Sequence, residues 1–333
     1  MPRHQLHPQC AVPLLYLPLS DATLAGVCNG CTQHAVRHAK IVHACTVFLT
    51  FCMRRRSLAG RDTLGAEYAD AESMWEREAG SKKQKDDWYD KGEREHTGEQ
   101  VTANTGPWGT LTVATHLAGL RYWAALPATV DTVLGGYARV SPSDVRESAV
   151  FLESVFPAVT KPGASLTVAD CGAGVGRVTE HLLLRYFTAV DLVEPVKSYM
   201  LAAEEKLTPL AASAEPPRVL RYVVEPLQEW TPEKGRYDVI WIQWCVGHCT
   251  DDDLISLLHR CGAGLKRGGM IVMKENNCAE GFIVDKEDSS LTRSNDYFLA
   301  LFARATMTVV KVKLQRNFPS ELFPVRMYAL KPE

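Results

Sequence analysis

The chain has 333 residues, with 37 basic and 39 acidic side chains and a formal net charge of −2. This length allows one large domain with an extension or two small domains, and the 46% apolar content is ordinary for a soluble core. No apolar run approaches the ~20 residues that a membrane-spanning helix needs, so no membrane partner is expected.

Charge is distributed unevenly along the chain. Residues 1–60 contain six basic residues and one acidic residue, so this part carries +5 and the remainder carries −7. A mildly acidic remainder suits a cationic partner and argues against nucleic acid as the substrate. The ten cysteines lack disulfide-type spacing, which favours reduced thiols in a cytoplasmic protein, with the nucleus as an alternative location.

Residues 1–85 are predicted to be an N-terminal extension, which is either disordered or the result of a mis-assigned start codon. Four residues in it resemble metal ligands, namely Cys28, Cys31, His34 and His38. Their spacing is too compressed for two pairs of zinc ligands, so no metal site is predicted. Residues 86–142 are predicted to be a helical segment on the substrate side, interrupted by an insertion.

The most informative stretch begins at Leu166 with a short apolar strand that leads into a glycine-rich loop. Gly172, Gly174 and Gly176 let a ligand approach the backbone, because glycine tolerates a positive φ and has no Cβ. A helix follows the loop, and its positive end favours polar or anionic groups. A second apolar strand ends at Glu194, whose carboxylate is suited to accept hydrogen bonds from both hydroxyls of a ribose.

This layout predicts a site for an adenosine cofactor. Two features favour S-adenosyl-L-methionine over a nicotinamide dinucleotide. The first is the loop itself, in which Asp170 closes the strand and Arg177 follows the third glycine. The second is that no second dinucleotide-binding half follows this one.

Strands and helices alternate through the rest of the chain. Apolar runs predict further strands at 219–224, 237–244 and 270–275. Helices are predicted at 143–156, 177–186, 198–207, 252–262 and 295–303. Two final runs alternate as an antiparallel pair would, at 308–314 and 325–330. The predicted fold is therefore α/β, a seven-stranded Rossmann-like sheet of the class I S-adenosylmethionine-dependent methyltransferases with an N-terminal helical extension.

Several motifs together carry a resemblance to a known family. The most specific are Trp241-Ile-Gln-Trp244 and Asp285-Lys-Glu-Asp-Ser-Ser290. They are accompanied by Leu134-Gly-Gly-Tyr137, Gly247-His248 and Lys274-Glu-Asn276. On these motifs the chain from about Arg121 to Leu330 resembles the protein N-terminal methyltransferases, which methylate the α-amine of proteins that begin with Xaa-Pro-Lys. The resemblance implies a methyltransferase domain at 143–333 and protein substrates with exposed Xaa-Pro-Lys termini.

The same resemblance implies which residues hold S-adenosyl-L-methionine. They are Gly172, Gly174, Arg177, Glu194, Pro195, Val196, Leu227, Gln228 and Gln243. In this set Arg177 would pair with the methionine carboxylate, and Glu194 would hold the ribose. Glu194 stands where the family commonly has Asp, so the charge is kept on a longer side chain.

The acceptor residues implied by the resemblance fit the chemistry of an amine. An α-amine has an ordinary pKa of about 7.7–8, so it must lose a proton before it can attack a methyl group. Asp288 and His248 would share the role of general base, and Asn276 would orient the amine. The remaining substrate contacts would come from Trp244, Asp285, Leu134 and Val140, with Trp244 facing the proline and Asp285 complementing the lysine.

Other interpretations of this sequence stay open. The sheet could serve a small-molecule methyltransferase, or the chain could be a non-catalytic scaffold that only binds the cofactor. A shift of one residue would exchange Asn277 for Asn276, and Phe323 stands where the family often has a tyrosine that lines the peptide channel. We expect a monomer that needs no metal.

Overall fold

The computed structural model describes residues 58–75, 77 and 119–333, and the strands of these residues form two sheets. In chain order the strands are β1 (Gly60–Asp62), β2 (Glu67–Tyr68), β3 (Thr167–Cys171), β4 (Ala189–Val193), β5 (Val219–Val223), β6 (Tyr237–Gln243), β7 (Leu265–Asn276), β8 (Phe282–Val284), β9 (Leu291–Arg293), β10 (Met307–Leu314) and β11 (Val325–Pro332).

The larger sheet has seven strands in the order β10-β11-β7-β6-β3-β4-β5. Strands β3 to β7 pair in parallel, whereas β11 is antiparallel to β7 and β10 is antiparallel to β11. The predicted seven-stranded α/β sheet is therefore confirmed. Because β4 and β6 lie on opposite sides of β3, the strand order reverses there, and such a point opens a crevice at the carboxyl ends of the strands.

Helices cover both faces of this sheet. They are α1 (Val130–Val133), α2 (Ser141–Val155), α3 (Leu184–Tyr186), α4 (Lys197–Ser213), α5 (Asp251–Gly264) and α6 (Asn295–Arg304). Shorter 3-10 helices lie at Ala138–Val140, Pro157–Thr160 and Val246–His248, and helical turns lie at 71–75 and 119–124. The predicted helix at 177–186 is confirmed, and its middle part, Thr179–Leu183, is π-helical and leads directly into α3.

Strand β6 shows why the central strands are almost entirely apolar. Val239 and Trp241 pack with α2 and α4 on one face, whereas Ile240 and Ile242 pack with α5 and α6 on the other. Successive side chains of a strand point to opposite faces, so a strand covered by helices on both sides must be apolar at every position. The uninterrupted run in the sequence reflects this double burial.

A smaller sheet joins the N-terminal part of the described chain to its C-terminal half, in the order β2-β1-β8-β9. Strand β1 pairs in parallel with β8, and Gly281 has a φ of 52° with its Cα so close to Ala59 that any side chain would collide with the backbone. Tyr68, Met74 and Trp75 are buried in the same apolar core as α5 and α6.

Residues 58–75 thus belong to the fold, although the sequence predicted that residues 1–85 are an extension. Sequence reasoning missed this segment because its strands are two or three residues long and show no periodicity. The rest of that extension, the four Cys and His residues in it and the predicted insertion lie outside the described residues. Within the described part of the chain, no helix is long and apolar enough to cross a membrane.

Shortening Met74 tests whether this segment is part of the fold. Its side chain is fully buried, so Met74→Ala leaves a cavity, and we expect it to lower the free energy of unfolding by about 2–5 kcal/mol. Urea denaturation followed by circular dichroism measures the change. Leu64→Ala is the matched control, because Leu64 is 83% exposed and its loss should change stability by less than about 0.5 kcal/mol. Equal, small effects of both variants would contradict the packing described here.

Candidate active site

A cavity of about 1040 Å³, its open mouth included, lies at the carboxyl ends of β3, β4 and β6. All nine predicted cofactor residues line it, together with Leu134, Trp244 and His248. The sequence did not predict the other lining residues, which are Gly119, Leu120, Trp123, Val133, Ala173, Val178, Tyr199, Pro226, Cys245 and Cys249. Six of these lie on helical segments and four on the loops that follow strands, and nothing in the sequence shows that these segments meet at one cavity.

The glycine loop forms one wall of this cavity. Gly172, Gly174 and Gly176 have φ values of 68°, 54° and 75°, which other residues rarely adopt. A Cβ at Gly172 would lie 2.7 Å from the Sγ of Cys245. Glycine is therefore required there by both the backbone conformation and the close approach of the loop after β6.

Glu194 folds back onto this loop. Its Oε2 accepts a hydrogen bond from the N–H of Gly174 and its Oε1 accepts one from the N–H of Val196, both at 2.9 Å. Burial raises the pKa of Glu194, although these two N–H groups partly oppose that effect. Each carboxylate oxygen has a further lone pair, so these bonds leave Glu194 able to accept from a ligand.

A buried charge cluster forms the floor beneath the loop. Asp144 on α2 accepts a hydrogen bond from Arg177 at 2.7 Å and lies 2.5 Å from the Nζ of Lys274. Burial would raise the pKa of Asp144, but the positive charges of Lys274 and Arg177 hold it below its ordinary value. Burial lowers the pKa of Lys274. Asp144 is thus the anion that compensates two buried cations.

Gln243 belongs to the same cluster. Its Nε2 donates to both carboxylate oxygens of Asp144 at 3.0 Å, and its Oε1 accepts from the indole of Trp241. These bonds offset the cost of burying an amide at the end of an apolar strand. The sequence predicted Arg177 and Gln243 but not Asp144, because nothing in α2 distinguishes Asp144 from other acidic residues of a helix.

Two polar atoms of residues that line the cavity have no hydrogen-bond partner. They are the Nε1 of Trp244 and the hydroxyl of Tyr199, and both are buried. Trp244 also has a φ of 54°, a strained conformation for a non-glycine residue. Its ring lies near the guanidinium of Arg177 and packs against Phe318. Unpaired donors and stored backbone strain are typical of a site that is completed by a ligand.

His248 connects the cavity to an acidic loop at 285–290. Its Nε2 accepts a hydrogen bond from the Nε1 of Trp123 at 3.0 Å and lies 4.0 Å from the Oδ2 of Asp288. Because the indole can only donate, Nε2 is the acceptor in this contact. The structure thus brings His248 and Asp288 together at the edge of the cavity.

The acidic loop turns sharply between β8 and β9. The N–H of Asp285 donates to the carbonyl of Ser290, and the N–H of Ser290 donates to the Oδ1 of Asp288. Burial raises the pKa of Tyr122, and the carboxylates of Glu287, Asp288 and Asp285 raise it further. The negative field of the loop therefore reaches the 119–124 helix above the cavity.

Four predicted residues do not line the cavity itself. Asp288 lies beside His248, and Asp285 is exposed on the same loop, whereas Val140 is buried at the start of α2. Asn276 ends β7 with a partly exposed side chain. Asn277 is fully buried and its amide bonds to Arg293, Arg326 and Tyr328, so Asn276 is the one of the pair that is available at the strand end.

Glu275 precedes Asn276 on β7 and is buried. Its Oε1 accepts from the N–H of Asn276 at 2.9 Å, and its Oε2 has no hydrogen-bond partner. Burial raises the pKa of Glu275 to about 7, although neighbouring N–H groups and Arg293 oppose this. Among the described residues, no group of three or more His, Cys, Asp or Glu side chains could hold a metal ion.

Comparison with known proteins finds close relatives. A family model described as AdoMet dependent proline di-methyltransferase matches residues 114–331. Alpha N-terminal protein methyltransferase 1 of Arabidopsis thaliana is 40% identical over 279 residues, which are 82% of this chain and 91% of that protein. N-terminal Xaa-Pro-Lys N-methyltransferase 1-B of Xenopus laevis is 40% identical over 210 residues, 63% of this chain and 92% of that protein.

Two solved structures of methyltransferases also superpose on this chain. A SAM-dependent methyltransferase of Leishmania major superposes with a TM-score of 0.66 at 33% identity, over 83% of this chain and 97% of that one. A 1,6-didemethyltoxoflavin-N1-methyltransferase of Burkholderia thailandensis superposes with a TM-score of 0.50 at 19% identity, over 71% of this chain and 99% of that one. The second likeness shows the fold alone.

The raised pKa of Glu275 makes stability depend on pH in a defined direction. The folded state holds this proton up to about pH 7, whereas the unfolded state releases it near its ordinary pKa of 4.5. Glu275 therefore destabilises the fold progressively as the pH rises from 4.5 to 7. Glu275→Gln removes this titration. Over that pH range we therefore expect the free energy of unfolding of the variant, relative to wild type, to increase by roughly a few kcal/mol at most.

Urea denaturation of both proteins at about pH 5, 6 and 7.5 measures the effect as the change in their difference. The change of unfolding free energy with pH is compared, and not its absolute value, because the new amide can itself lack a partner and lower stability at every pH. Glu229→Gln, at an exposed position, serves as the control and should follow wild type. Parallel curves for Glu275→Gln and wild type would contradict the assignment.

Proposed function

Because the chain belongs to the AdoMet dependent proline di-methyltransferase family, we propose that it methylates the α-amine of proteins that begin with Xaa-Pro-Lys. The protein is an S-adenosyl-L-methionine-dependent methyltransferase, as its family and its relatives are. The observation that supports this substrate is the acidic loop at the edge of the cavity, where Asp288 lies 4.0 Å from His248. Its negative charge suits a substrate with a positively charged N-terminus.

The cavity suits S-adenosyl-L-methionine. The positive-φ glycine loop leaves backbone exposed to a ligand, and the Nε1 of Trp244 and the hydroxyl of Tyr199 await partners. When bound, the cofactor supplies an electrophilic methyl group on a sulfonium sulfur. Glu194 would hold the ribose, Leu227 and Gln228 would flank the adenine, and Arg177 would face the methionine carboxylate. Asp144 would fix the guanidinium of Arg177 so that its remaining N–H groups point to the ligand.

The proton of the substrate amine would pass to the acidic loop. With an ordinary pKa of about 7.7–8, much of the α-amine is protonated at neutral pH, so a base must act before the lone pair can attack. The Oδ2 of Asp288 lies 4.0 Å from the Nε2 of His248, at the edge of the cavity. We assign the two residues a shared role as general base, with His248 in the cavity wall and Asp288 beside it.

The remaining acceptor residues would recognise the peptide. Asn276 would orient the amine through its side-chain oxygen, and the ring of Trp244 would pack against the proline. Asp285 would complement the lysine at the third position, and Leu134 would contribute an apolar edge. Since the transfer is a direct displacement, this positioning would supply most of the acceleration.

The proposal extends to a monomer in the cytoplasm. The five cysteines of the described residues are free, which supports a reducing compartment.

Asp288→Asn tests the proposed base. The amide cannot accept the proton, so we expect kcat for a Ser-Pro-Lys peptide to fall by about 10²–10⁴-fold. Transfer of a labelled methyl group measures the rate, and calorimetry should find cofactor binding unchanged. Glu287→Gln removes the same charge from an exposed position of the same loop and should keep kcat within about threefold.

Normal turnover by Asp288→Asn would contradict its role. Failure of wild type to methylate Ser-Pro-Lys, together with methylation of small amines from a metabolite panel, would instead favour a small-molecule methyltransferase. No transfer to any acceptor, with cofactor binding intact, would favour a non-catalytic scaffold.

A further inference from the structure

The N-terminal strand pair β1-β2 lies directly against the base of the acidic loop. In the pairing of β1 with β8, Asp62 is opposite Val284, the residue that precedes Asp285. The N–H of Thr63 donates to the carbonyl of Val284 at 3.0 Å. This contact comes from outside the part of the chain that matches the family model, which begins at residue 114.

Asp62 is the most connected residue of this segment. Its Oδ1 accepts from the N–H groups of Leu64 and Ala66, and its Oδ2 accepts from the hydroxyl of Tyr68 at 3.1 Å. Burial would raise its pKa, but its hydrogen bonds, with a contribution from Lys286, bring that pKa below the ordinary value. Asp62 is therefore a buried carboxylate that stays charged at neutral pH.

The Oδ2 of Asp62 also lies 3.4 Å from the Nζ of Lys286. Lys286 is the single basic residue of the run Asp285-Lys286-Glu287-Asp288. An ammonium group turned toward Asp285 and Asp288 would cancel part of their charge and would repel a cationic substrate. The ion pair with Asp62 draws that group toward the N-terminal strands.

We propose that Asp62 is a positioning residue for the acceptor loop, which holds the ammonium of Lys286 against β1 so that Asp285 and Asp288 keep a negative surface for a basic substrate. This inference rests on the proposed function and adds to it a residue that determines selectivity for positively charged substrates. If the inference holds, replacing Asp62 changes the KM for the peptide only when Lys286 is present and only when the peptide is positively charged.

A double-mutant cycle tests this dependence. Asp62→Asn keeps an oxygen for the N–H groups of Leu64 and Ala66 but removes the charge that faces Lys286. Wild type, Asp62→Asn, Lys286→Gln and the double variant are assayed with Ser-Pro-Lys and Ser-Pro-Gln peptides at low and high salt. Circular dichroism and cofactor binding establish that each variant is folded.

We expect Asp62→Asn to raise KM for the lysine peptide by about 5–10-fold at low salt, with kcat within about twofold. High salt should shrink the effect, because it screens the charge of the Lys286 ammonium. The glutamine peptide should change by less than about twofold, and Lys286→Gln in the double variant should restore the lysine peptide to near wild type.

Equal losses for both peptides without rescue by Lys286→Gln would mean that Asp62 acts only as a structural turn residue, and would overturn the inference. An unchanged KM for the lysine peptide in Asp62→Asn would also overturn it. If Asp62→Asn fails to fold, Lys286→Gln alone decides: a KM for the lysine peptide no higher than in wild type supports the inference, and a clear rise contradicts it. If wild type methylates neither peptide, the proposed function itself fails, and this inference fails with it.

Discussion

The buried carboxylate of Asp144 is the interaction on which the site depends. It is 1% exposed and compensates two cations, Arg177 and Lys274, that are themselves almost fully buried. Removing one partner of such a group leaves an unpaired buried charge, which typically costs about 3–5 kcal/mol. Through Asp144, α2 is tied to the glycine-loop helix, to the end of β6 and to β7. The floor of the cofactor cavity is therefore set by charge compensation, and apolar packing around it completes the fold.

The two sides of the cavity are built differently. The cofactor side stands on the parallel strands, where backbone pairing and the Asp144 cluster fix each residue. The acceptor side stands on the β8-β9 turn, whose base is supported by β1 and whose edge meets His248 and the 119–124 helix. If the loop binds the acceptor as proposed, one fold can keep its methyl donor while the sequence of the loop selects the acceptor.

Sequence reasoning predicted the features that local patterns encode. The glycine loop, the double-buried run of β6 and the alternating final strands are each visible within a few residues, and all were found where expected. The pairing of β1 with β8 joins very short strands more than 200 residues apart, so no local pattern could indicate it. Asp144 was missed for a related reason: its partners Arg177 and Lys274 are distant in sequence, and an acid in a helix usually faces solvent. The hydrogen bond from Gly174 to Glu194 likewise joins two different loops, so no local pattern could indicate it.

The account is tested most directly by locating the methyl group on a peptide. A Ser-Pro-Lys peptide with a free α-amine, and the same peptide with that amine acetylated, are incubated with the enzyme and S-adenosyl-L-methionine, and fragmentation mass spectrometry assigns the modified atom. The account predicts one or more methyl groups on the terminal nitrogen of the free peptide and none on the acetylated one. Methylation of the lysine side chain, or equal methylation of both peptides, would contradict it.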